Sequence, residues 1–416
     1  MLLIMPVMAS AGDIYKGREF WLAWLQSEVG RDNFEISLHI TAQERTSVTV
    51  RLPAAIVDSR GEREWTETYK VGKGEVLDIV IPAEYTLKTR KGKSTNKGLY
   101  IVADEDIMVV AKNSSGSSSD ATVVIPINGL GTEYYAMQYN VMRKDYPTQY
   151  LVLATEDSTV VDIVNVNRSS DTAGPHQQYS ILLNKGDYHV VNSVKDLTGS
   201  TIKSRQGKKI AVFSGNTCAY VPSYCQSCDH LYEQMSPVNT WGHEFVVMPF
   251  DTRVKYVVRI LAKEDRTYVY VDGQKHEIAK AGKYLELELS EAAYVTTSRD
   301  VLVCQYTIGT RCDENPGDPS MVMMKPVLSY SGENILPIMQ TLKIRDYYIT
   351  VLIKTKDIPL FTINGKTKTK DFTEVSYRSE YSYAHIQLST RGTTVKCDCE
   401  YNFISYGLGW FESYAY

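Results

Sequence analysis

The sequence predicts an all-β protein built from tandem antiparallel β-sandwich-like modules. Apolar and polar residues alternate over short runs such as Phe34–Ile40 and Tyr284–Leu289, the pattern of a strand with one buried face. Turn-forming pairs, including Asp272-Gly273 and Asn364-Gly365, recur along the chain, and turns about every 8–12 residues are typical of sandwiches and barrels. A β-propeller with elaborated blades is the architectural alternative.

A three-part pattern occurs four times in the same order. Each copy opens with a glycine followed two residues later by an acid, at Gly17, Gly131 and Gly242 and in a weaker form at Gly332. Two apolar runs joined by a charged turn come next, and each pair predicts a hairpin; the turns contain Glu44, Glu156, Glu264 and Asp357. A polar turn before another apolar strand closes each copy, at Asp104–Asp106, Arg205–Lys209, Ser298–Asp300 and Thr390–Gly392. Duplication of a β module accounts for this repetition.

The repeats set the predicted module limits. We place four β modules at residues 17–130, 131–241, 242–331 and 332–416. Each module needs seven or eight short strands, more than one four-stranded propeller blade contains and about the number in a two-sheet sandwich. The Ser- and Gly-rich segment Asn113–Asp120 is predicted to be the most flexible loop.

The amino end indicates export. An apolar run at residues 2–8 precedes Ala9-Ser10-Ala11, so residues 1–11 are predicted to be a signal peptide and the mature protein to be secreted or displayed at the cell surface. No later apolar run approaches the ~18 residues of a membrane span. The final segment, 406–416, stops in mid-strand character, so the natural chain is expected to continue past Tyr416.

Charge and composition limit the partners. The formal net charge is −4 and the two signs are interspersed, which argues against nucleic acid, because a phosphate-binding face needs clustered Lys and Arg. The one basic run, Lys88–Lys97, is interpreted as a solvated loop, with a polyanion site as the alternative. The 30 tyrosines suit half-buried strand positions, and a binding surface is the alternative for some of them.

All seven cysteines lie in the second half of the chain: Cys218, Cys225, Cys228, Cys304, Cys312, Cys397 and Cys399. In an exported protein they predict disulfides, and the odd number leaves at least one thiol free or intermolecular. Cys304 and Cys312 flank one turn and are candidates for a bridge, and one further bridge is expected among the first three cysteines. Cys397 and Cys399 are too close along one strand face for an easy mutual bond, so either is expected to pair elsewhere.

Metal and catalytic motifs are weak, so no cofactor and no enzyme is predicted. Cys225-x-x-Cys228 with His230 is a zinc alternative that lacks a second C-x-x-C. The acidic loop Cys312–Pro319 offers oxygen ligands for calcium but matches no EF-hand. The chain has no G-x-S-x-G, P-loop, H-E-x-x-H or G-x-G-x-x-G motif. A hydrolase with paired carboxylates from distant parts of the chain is retained as an alternative.

Three stretches resemble the amino-terminal domain of the IgGFc-binding protein family. Residues 228–242 are similar to its C-D-H-L-x-E-Q followed by P-V-x-x-W-G, residues 130–134 to its L-G-T-E-Y and residues 317–321 to its G-D-P-S-M. They occur in the family's order, and the likeness covers about residues 17–330. The ending, 407–416, is similar to secreted surface proteins of the Bacteroidetes type. The residues that carry the longest motif are Cys228, Asp229, His230, Leu231, Glu233, Gln234, Trp241 and Gly242.

The resemblance implies an extracellular or cell-surface adhesion domain that recognises a glycan, a mucin or a protein such as an immunoglobulin. It assigns no catalytic or ligand-binding residue, and it leaves Fc binding itself open. A structural spacer that displays further domains and a glycan-acting hydrolase are the alternative functions.

Overall fold

A computed structural model describes residues 15–27, 34–58, 61–82, 98–116, 118–171, 173–341 and 343–416. The expected signal peptide and the basic run Lys88–Lys97 lie outside these residues. Within them the chain is almost entirely antiparallel strand with a few short 3-10 turns, so the predicted all-β fold of tandem sandwich-like modules is confirmed. No helix in the described part is long and apolar enough to cross a membrane.

The strands fall into four consecutive sets, which we call units 1 to 4. Unit 1 contains β1 (Gly17–Leu22), β2 (Phe34–Ala42), β3 (Thr46–Asp58), β4 (Gly61–Val71), β5 (Val76–Val80), β6 (Leu99–Ser115) and β7 (Ser119–Val123). Unit 2 contains β8 (Glu133–Tyr135), β9 (Thr148–Ala154), β10 (Thr159–Val164), β11 (Gln178–Leu183), β12 (Tyr188–Ser193), β13 (Thr201–Ser204), β14 (Ile210–Tyr220) and β15 (Cys228–Gln234).

Unit 3 contains β16 (Gly242–Val247), β17 (Tyr256–Ala262), β18 (Thr267–Val271), β19 (Gln274–Ile278), β20 (Tyr284–Leu289), β21 (Ala293–Tyr306) and β22 (Met321–Met323). Unit 4 contains β23 (Tyr330–Pro337), β24 (Ile344–Lys354), β25 (Thr362–Ile363), β26 (Lys366–Thr367), β27 (Thr373–Glu374), β28 (Tyr381–Leu388), β29 (Gly392–Gly409) and β30 (Glu412–Ala415). The 3-10 turns are Ile127–Gly129, Val238–Thr240, Thr310–Cys312 and Thr355–Leu360. The predicted module limits differ slightly from these sets, since β23 begins at Tyr330.

One topology recurs in all four units. A long strand, β6 in unit 1, pairs with β3 over its first half and with β2 over its second, and β21 and β29 do the same with their equivalents. In unit 2 this path is divided into β13 and β14. Gln206 and Gly207, between them, have φ values of 59° and 72°, which a strand cannot accommodate. Unit 2 therefore has two separate four-stranded sheets.

The charged turns are not hairpin turns, so that prediction is wrong. Strands β2 and β3 flank the first charged turn, yet they pair with opposite halves of β6 and not with each other. The same holds for β9 with β10, β17 with β18 and β24 with β25. Each charged turn is a corner at which the chain passes from one layer of the sandwich to the other. Period-two alternation with a polar turn fits both geometries, so the sequence could not separate them.

The repeated glycine lies where the first strand of a unit crosses a bend in the long strand, at which the pairing register between the two strands shifts. Gly17 pairs with Ile107 while Glu19 pairs with Val102, and the same shift recurs at Gly131 and Gly242. A Cβ on these three glycines would lie 2.6 Å from Pro126, Pro237 and Pro326 respectively, so no side chain fits. In unit 4 the shift lies at Ser331, opposite Glu400. This explains why Gly332 matched weakly, and it places the bend at residues 397–400 and not at Thr390–Gly392.

Each unit ends in a short inner strand, and the four inner strands form a closed ring around one axis. Strand β7 lies against β15 and β30, and β22 lies against β15 and β30. Ser119 of β7 is hydrogen-bonded to Asp229 of β15. The next residue, Asp120, is hydrogen-bonded to Tyr232, Met321 and Ala415 of the other three inner strands. The four strands therefore run in the same direction, and the turns that precede them lie at one end of the molecule.

Tyrosines fill much of the core between layers and units. Tyr134, Tyr232 and Tyr306 are fully buried, and each hydroxyl donates to a backbone oxygen, at 2.8 Å from Ile210, 3.1 Å from Ala23 and 2.9 Å from Gln138. The last two bonds join different units. The high tyrosine content therefore serves packing in large part, because a buried ring with a satisfied hydroxyl is both bulky and polar at one end.

Candidate binding face

The longest family motif lies inside the ring and not on the surface. Strand β15 carries Cys228 to Gln234, and Asp229, His230 and Leu231 are completely buried. Glu233 and Gln234 are 4 % and 3 % exposed. These side chains cannot reach a partner in solution, so their roles must be read from the contacts they make within the fold.

Asp120 of β7 is the centre of these contacts. Its Oδ2 accepts the N–H groups of Tyr232 at 3.0 Å and of Met321 at 3.2 Å, and its Oδ1 accepts that of Ala415 at 3.4 Å. One carboxylate thus bonds the inner strands of the other three units. Burial raises the pKa of Asp120, while the N–H donors act in the opposite direction.

Asp229 and His230 join units 1, 2 and 4. Asp229 accepts the N–H of Ser119 at 3.0 Å and that of Ser413 at 3.3 Å. His230 lies between Asn216 O, 2.9 Å from Nδ1, and Asn113 Nδ2, 3.0 Å from Nε2. Because a carbonyl oxygen only accepts, Nδ1 carries the proton. Nε2 accepts a hydrogen bond from the Asn113 amide, so the ring is neutral. Burial lowers the pKa of His230 to about 4.

Glu233 and Gln234 act at the opposite end of the axis. Glu233 Oε1 accepts the N–H of Met323 at 2.9 Å, and Gln234 Oε1 accepts that of Ile125 at 2.8 Å. Glu233 Oε2 and Gln234 Nε2 have no hydrogen-bond partner among the described residues, and both residues line a cavity of ≈ 20 Å³ beside Lys325. Burial raises the pKa of Glu233 and lowers that of Lys325. This cavity has room for about one water molecule.

The end of the motif shapes the passage from unit 2 to unit 3. Trp241 donates its indole N–H to Ser236 O at 3.1 Å, and Gly242 is the glycine packed against Pro326. All of the motif residues therefore serve the fold. The Ser- and Gly-rich segment Asn113–Asp120, predicted to be flexible, contributes Asn113, Ser119 and Asp120 to the same buried network. Its small polar residues suit close packing on the axis as well as they suit a mobile loop.

The turns that precede three of the inner strands, residues 221–227, 307–320 and 410–411, lie together with the turns 140–147 and 251–255, which precede β9 and β17. We call these five segments the loop face. Cys218 bonds to Cys228 within unit 2, and Cys225 bonds to Cys312 of unit 3. The second bond ties the loops of two units together. Gly317 N–H donates to Gly409 O at 2.7 Å and links the loops of units 3 and 4.

Arg253 joins two of these loops, 251–255 and 307–320. Its guanidinium donates to Ile308 O at 2.9 Å, Pro316 O at 2.7 Å and Gly317 O at 2.9 Å. It also pairs with Asp313 at 2.9 Å, and both side chains are fully buried. Charge-assisted bonds from a planar fork fix geometry strongly. The acidic loop Cys312–Pro319 is therefore ordered by an arginine, and among the described residues no group of His, Cys, Asp and Glu could hold a metal.

Large apolar side chains project from this ordered scaffold. Met142, Tyr224, Val254, Trp410 and Phe411 are between 42 % and 63 % exposed. Tyr224 is fixed, since its hydroxyl donates to Glu288 at 2.7 Å while Lys255 lies 5.1 Å from its ring centre. Exposed aromatic side chains on rigid loops are typical of protein-recognition surfaces.

A polar cleft of ≈ 220 Å³ opens beside the loop face between units 1 and 4. Its lining consists of Glu35, Lys112, Ser114, Gly116, Gln340, Thr341 and Glu412. Lys112 is held 3.2 Å from Glu35, and Thr341 donates to Glu412 at 3.0 Å. Burial raises the pKa of Glu412.

Ser37, His39 and Asp78 repeat the bonding order of a catalytic triad. Ser37 Oγ lies 3.2 Å from His39 Nε2, and His39 Nδ1 lies 2.7 Å from Asp78. However, Ser37 is 1 % exposed, and Arg391 of unit 4 also contacts Asp78. Burial lowers the pKa of His39 to about 3, which makes it a poor general base near neutral pH. The arrangement joins units 1 and 4.

The cysteine predictions are corrected in two places. Among the described residues, which include all seven cysteines, Cys304 alone is free, and it is buried on β21. Cys312 therefore bonds to Cys225 and not to Cys304. Cys397 and Cys399 bond to each other, because the bend of β29 brings their Cα atoms to 5.0 Å, closer than the ~6.6 Å of a straight strand. Cys225 and Cys228 both lie in disulfides, which removes the zinc alternative.

Comparison with known proteins agrees with the motif. A model of the IgGFc binding protein family matches residues 120–407. The human IgGFc-binding protein is 24 % identical over 361 residues, covering 84 % of this chain and 6 % of the human protein. The region that the family model matches contains β15, β22 and all of β7 except Ser119, and it ends before β30. This chain belongs to the IgGFc-binding protein family.

Proposed function

We propose that the chain is an extracellular binding domain that recognises a protein partner through its loop face. The observation that carries this proposal is the group of exposed apolar side chains on the loop face, in which two disulfides and Arg253 tie together the loops 221–227, 251–255 and 307–320. A rigid, partly apolar surface binds without a large entropy cost. The three disulfides support an extracellular location, since such bonds persist outside the reducing cytosol.

The family name makes immunoglobulin Fc the first partner to test, and mucins and other glycoproteins follow. A spacer role is the second candidate, and it predicts no specific ligand. The buried position of the family motif is compatible with either role, because the motif stabilises the scaffold in both. The exposed apolar side chains favour binding.

Binding of the purified chain to immobilised Fc, measured by biolayer interferometry, tests the proposal. We expect Tyr224→Ala to weaken binding by about tenfold or more, because central aromatic side chains contribute most to interfaces. Leu182→Ala is the matched control, since Leu182 on β11 is 66 % exposed and lies outside the loop face. If neither Fc nor any protein of a serum and mucin array is retained at micromolar concentration, the spacer role replaces this proposal.

A further inference from the structure

The polar cleft between units 1 and 4 has the chemistry of a sugar site. Of its seven lining residues, six carry hydrogen-bonding side chains and the seventh is Gly116. Pockets for drug-sized ligands are mostly apolar and occupy roughly 300–1,000 Å³. This cleft is smaller, at ≈ 220 Å³, and offers its occupant hydrogen-bonding groups beside the aliphatic parts of the same side chains. A single ring that carries several hydroxyl groups fits both properties.

The polar groups of the cleft are fixed before any ligand binds. Lys112 is 3 % exposed and is held by Glu35 on the adjacent strand. Glu412 is 1 % exposed and accepts from Thr341. A sugar hydroxyl can accept from the Lys112 ammonium and donate to a carboxylate of Glu35 or Glu412. Bonds to such charged groups are roughly twice as strong as neutral ones.

An aromatic turn directly precedes Glu412 in the chain. Trp410 and Phe411 are 53 % and 42 % exposed, and their ring centres are 6.4 Å apart. Phe411 has a φ of 59°, a backbone conformation that is strained for a bulky residue and that is concentrated at functional sites. Aromatic faces attract the C–H groups of a sugar ring, since the face carries partial negative charge.

We propose that the cleft holds one neutral sugar residue of a glycan and that Trp410 stacks against a neighbouring residue of the same glycan. The two carboxylates outnumber the one ammonium, so sialylated and sulfated sugars are disfavoured by repulsion. This inference rests on the proposed binding function, because the cleft opens beside the loop face. It identifies a glycan of the partner as the second point of contact.

Saturation-transfer NMR and calorimetry with the purified chain and free oligosaccharides test the site. The probes are oligomers of galactose, mannose and N-acetylglucosamine, together with a sialylated counterpart. We expect saturable binding of at least one neutral oligomer below about 10 mM, which corresponds to a weak interaction. Trp410→Ala should weaken it about 3- to 10-fold, the range expected for one aromatic contact, and Gln340→Ala should also weaken it. Leu182→Ala, which alters an exposed side chain on β11 that does not line the cleft, should leave sugar binding unchanged.

Absence of binding for every neutral oligomer overturns the inference, and so does a preference for the sialylated probe. Equal affinity in Trp410→Ala and the unaltered chain overturns it as well. Binding of intact and enzymatically deglycosylated Fc separates the two proposals. If deglycosylated Fc binds as tightly as intact Fc and no sugar is retained, the protein-binding function stands and the sugar site falls. If sugars bind and neither Fc nor any protein of the serum and mucin array is retained, the sugar site stands and the protein-binding function falls.

Discussion

A single buried carboxylate, that of Asp120, hydrogen-bonds to all three of the other units. Asp120 alone bonds backbone N–H groups from three other strands of the ring. A backbone N–H that is buried without an acceptor costs about 1–3 kcal/mol. The identity of Asp120 is therefore fixed by donors that are distant in sequence, and no local pattern around Ser119-Asp120-Ala121 predicts it.

Asp120→Asn tests this role with little change in shape. The amide nitrogen replaces one acceptor oxygen and faces N–H donors, so we expect the free energy of unfolding to fall by about 1–3 kcal/mol. Chemical denaturation measures it, and Asp398→Asn, at an exposed position of β29, is the control. A change below about 0.5 kcal/mol would show that Asp120 does not hold the ring together.

His230 predicts a specific pH dependence of stability. Its folded pKa is about 4 against an ordinary value of 6.5, so the unfolded chain takes up a proton first as the pH falls. The contribution of neutral His230 is complete above pH 6.5 and is lost between pH 6.5 and 4. Across that pH interval, we expect the free energy of unfolding of His230→Gln to fall by about 2–3 kcal/mol less than that of the unaltered chain. Parallel stability curves for the two proteins would contradict the assignment of a neutral, buried ring.

The sequence predicts the positions of strands better than it predicts individual side-chain contacts. Alternation of apolar and polar residues located the strands, because burial of one face leaves a period of two in the sequence. The same alternation could not distinguish a hairpin from a corner between layers. It also could not show that Asn113–Asp120 lies on the axis, since composition describes a segment without its surroundings. The Cys397–Cys399 bond depends on a bend in β29 that only the pairing with β23 reveals.

The disulfide between Cys225 and Cys312 is expected to stabilise the loop face more than any local bond. It closes a loop of 87 residues, whereas Cys397–Cys399 spans two, and the entropy removed from the unfolded chain grows with loop length. Replacing both Cys225 and Cys312 by serine should lower the free energy of unfolding by about 2–4 kcal/mol and weaken partner binding. The matched Cys397→Ser and Cys399→Ser pair should cost less. Equal losses in thermal or denaturant unfolding would contradict this ranking.

For the whole molecule, four copies of one topology build a ring that no single copy contains. The sequence predicted the duplication because its glycines and turns are local signals. It could not predict ring closure, which depends on β30 meeting β7 from the far end of the chain. The family motif was found for its length and interpreted without a role. Because the motif is buried, it stabilises the scaffold, and the exposed surface that remains available for binding is on the loops.

Hydrogen–deuterium exchange of the chain with and without bound Fc tests the central claim, that the motif forms the scaffold and the loop face binds. The account predicts new protection at residues 221–227, 251–255 and 307–320, with β15 protected equally in both states. New protection confined to outer strands such as β4, β11 or β19, with the loop face unchanged, would contradict it.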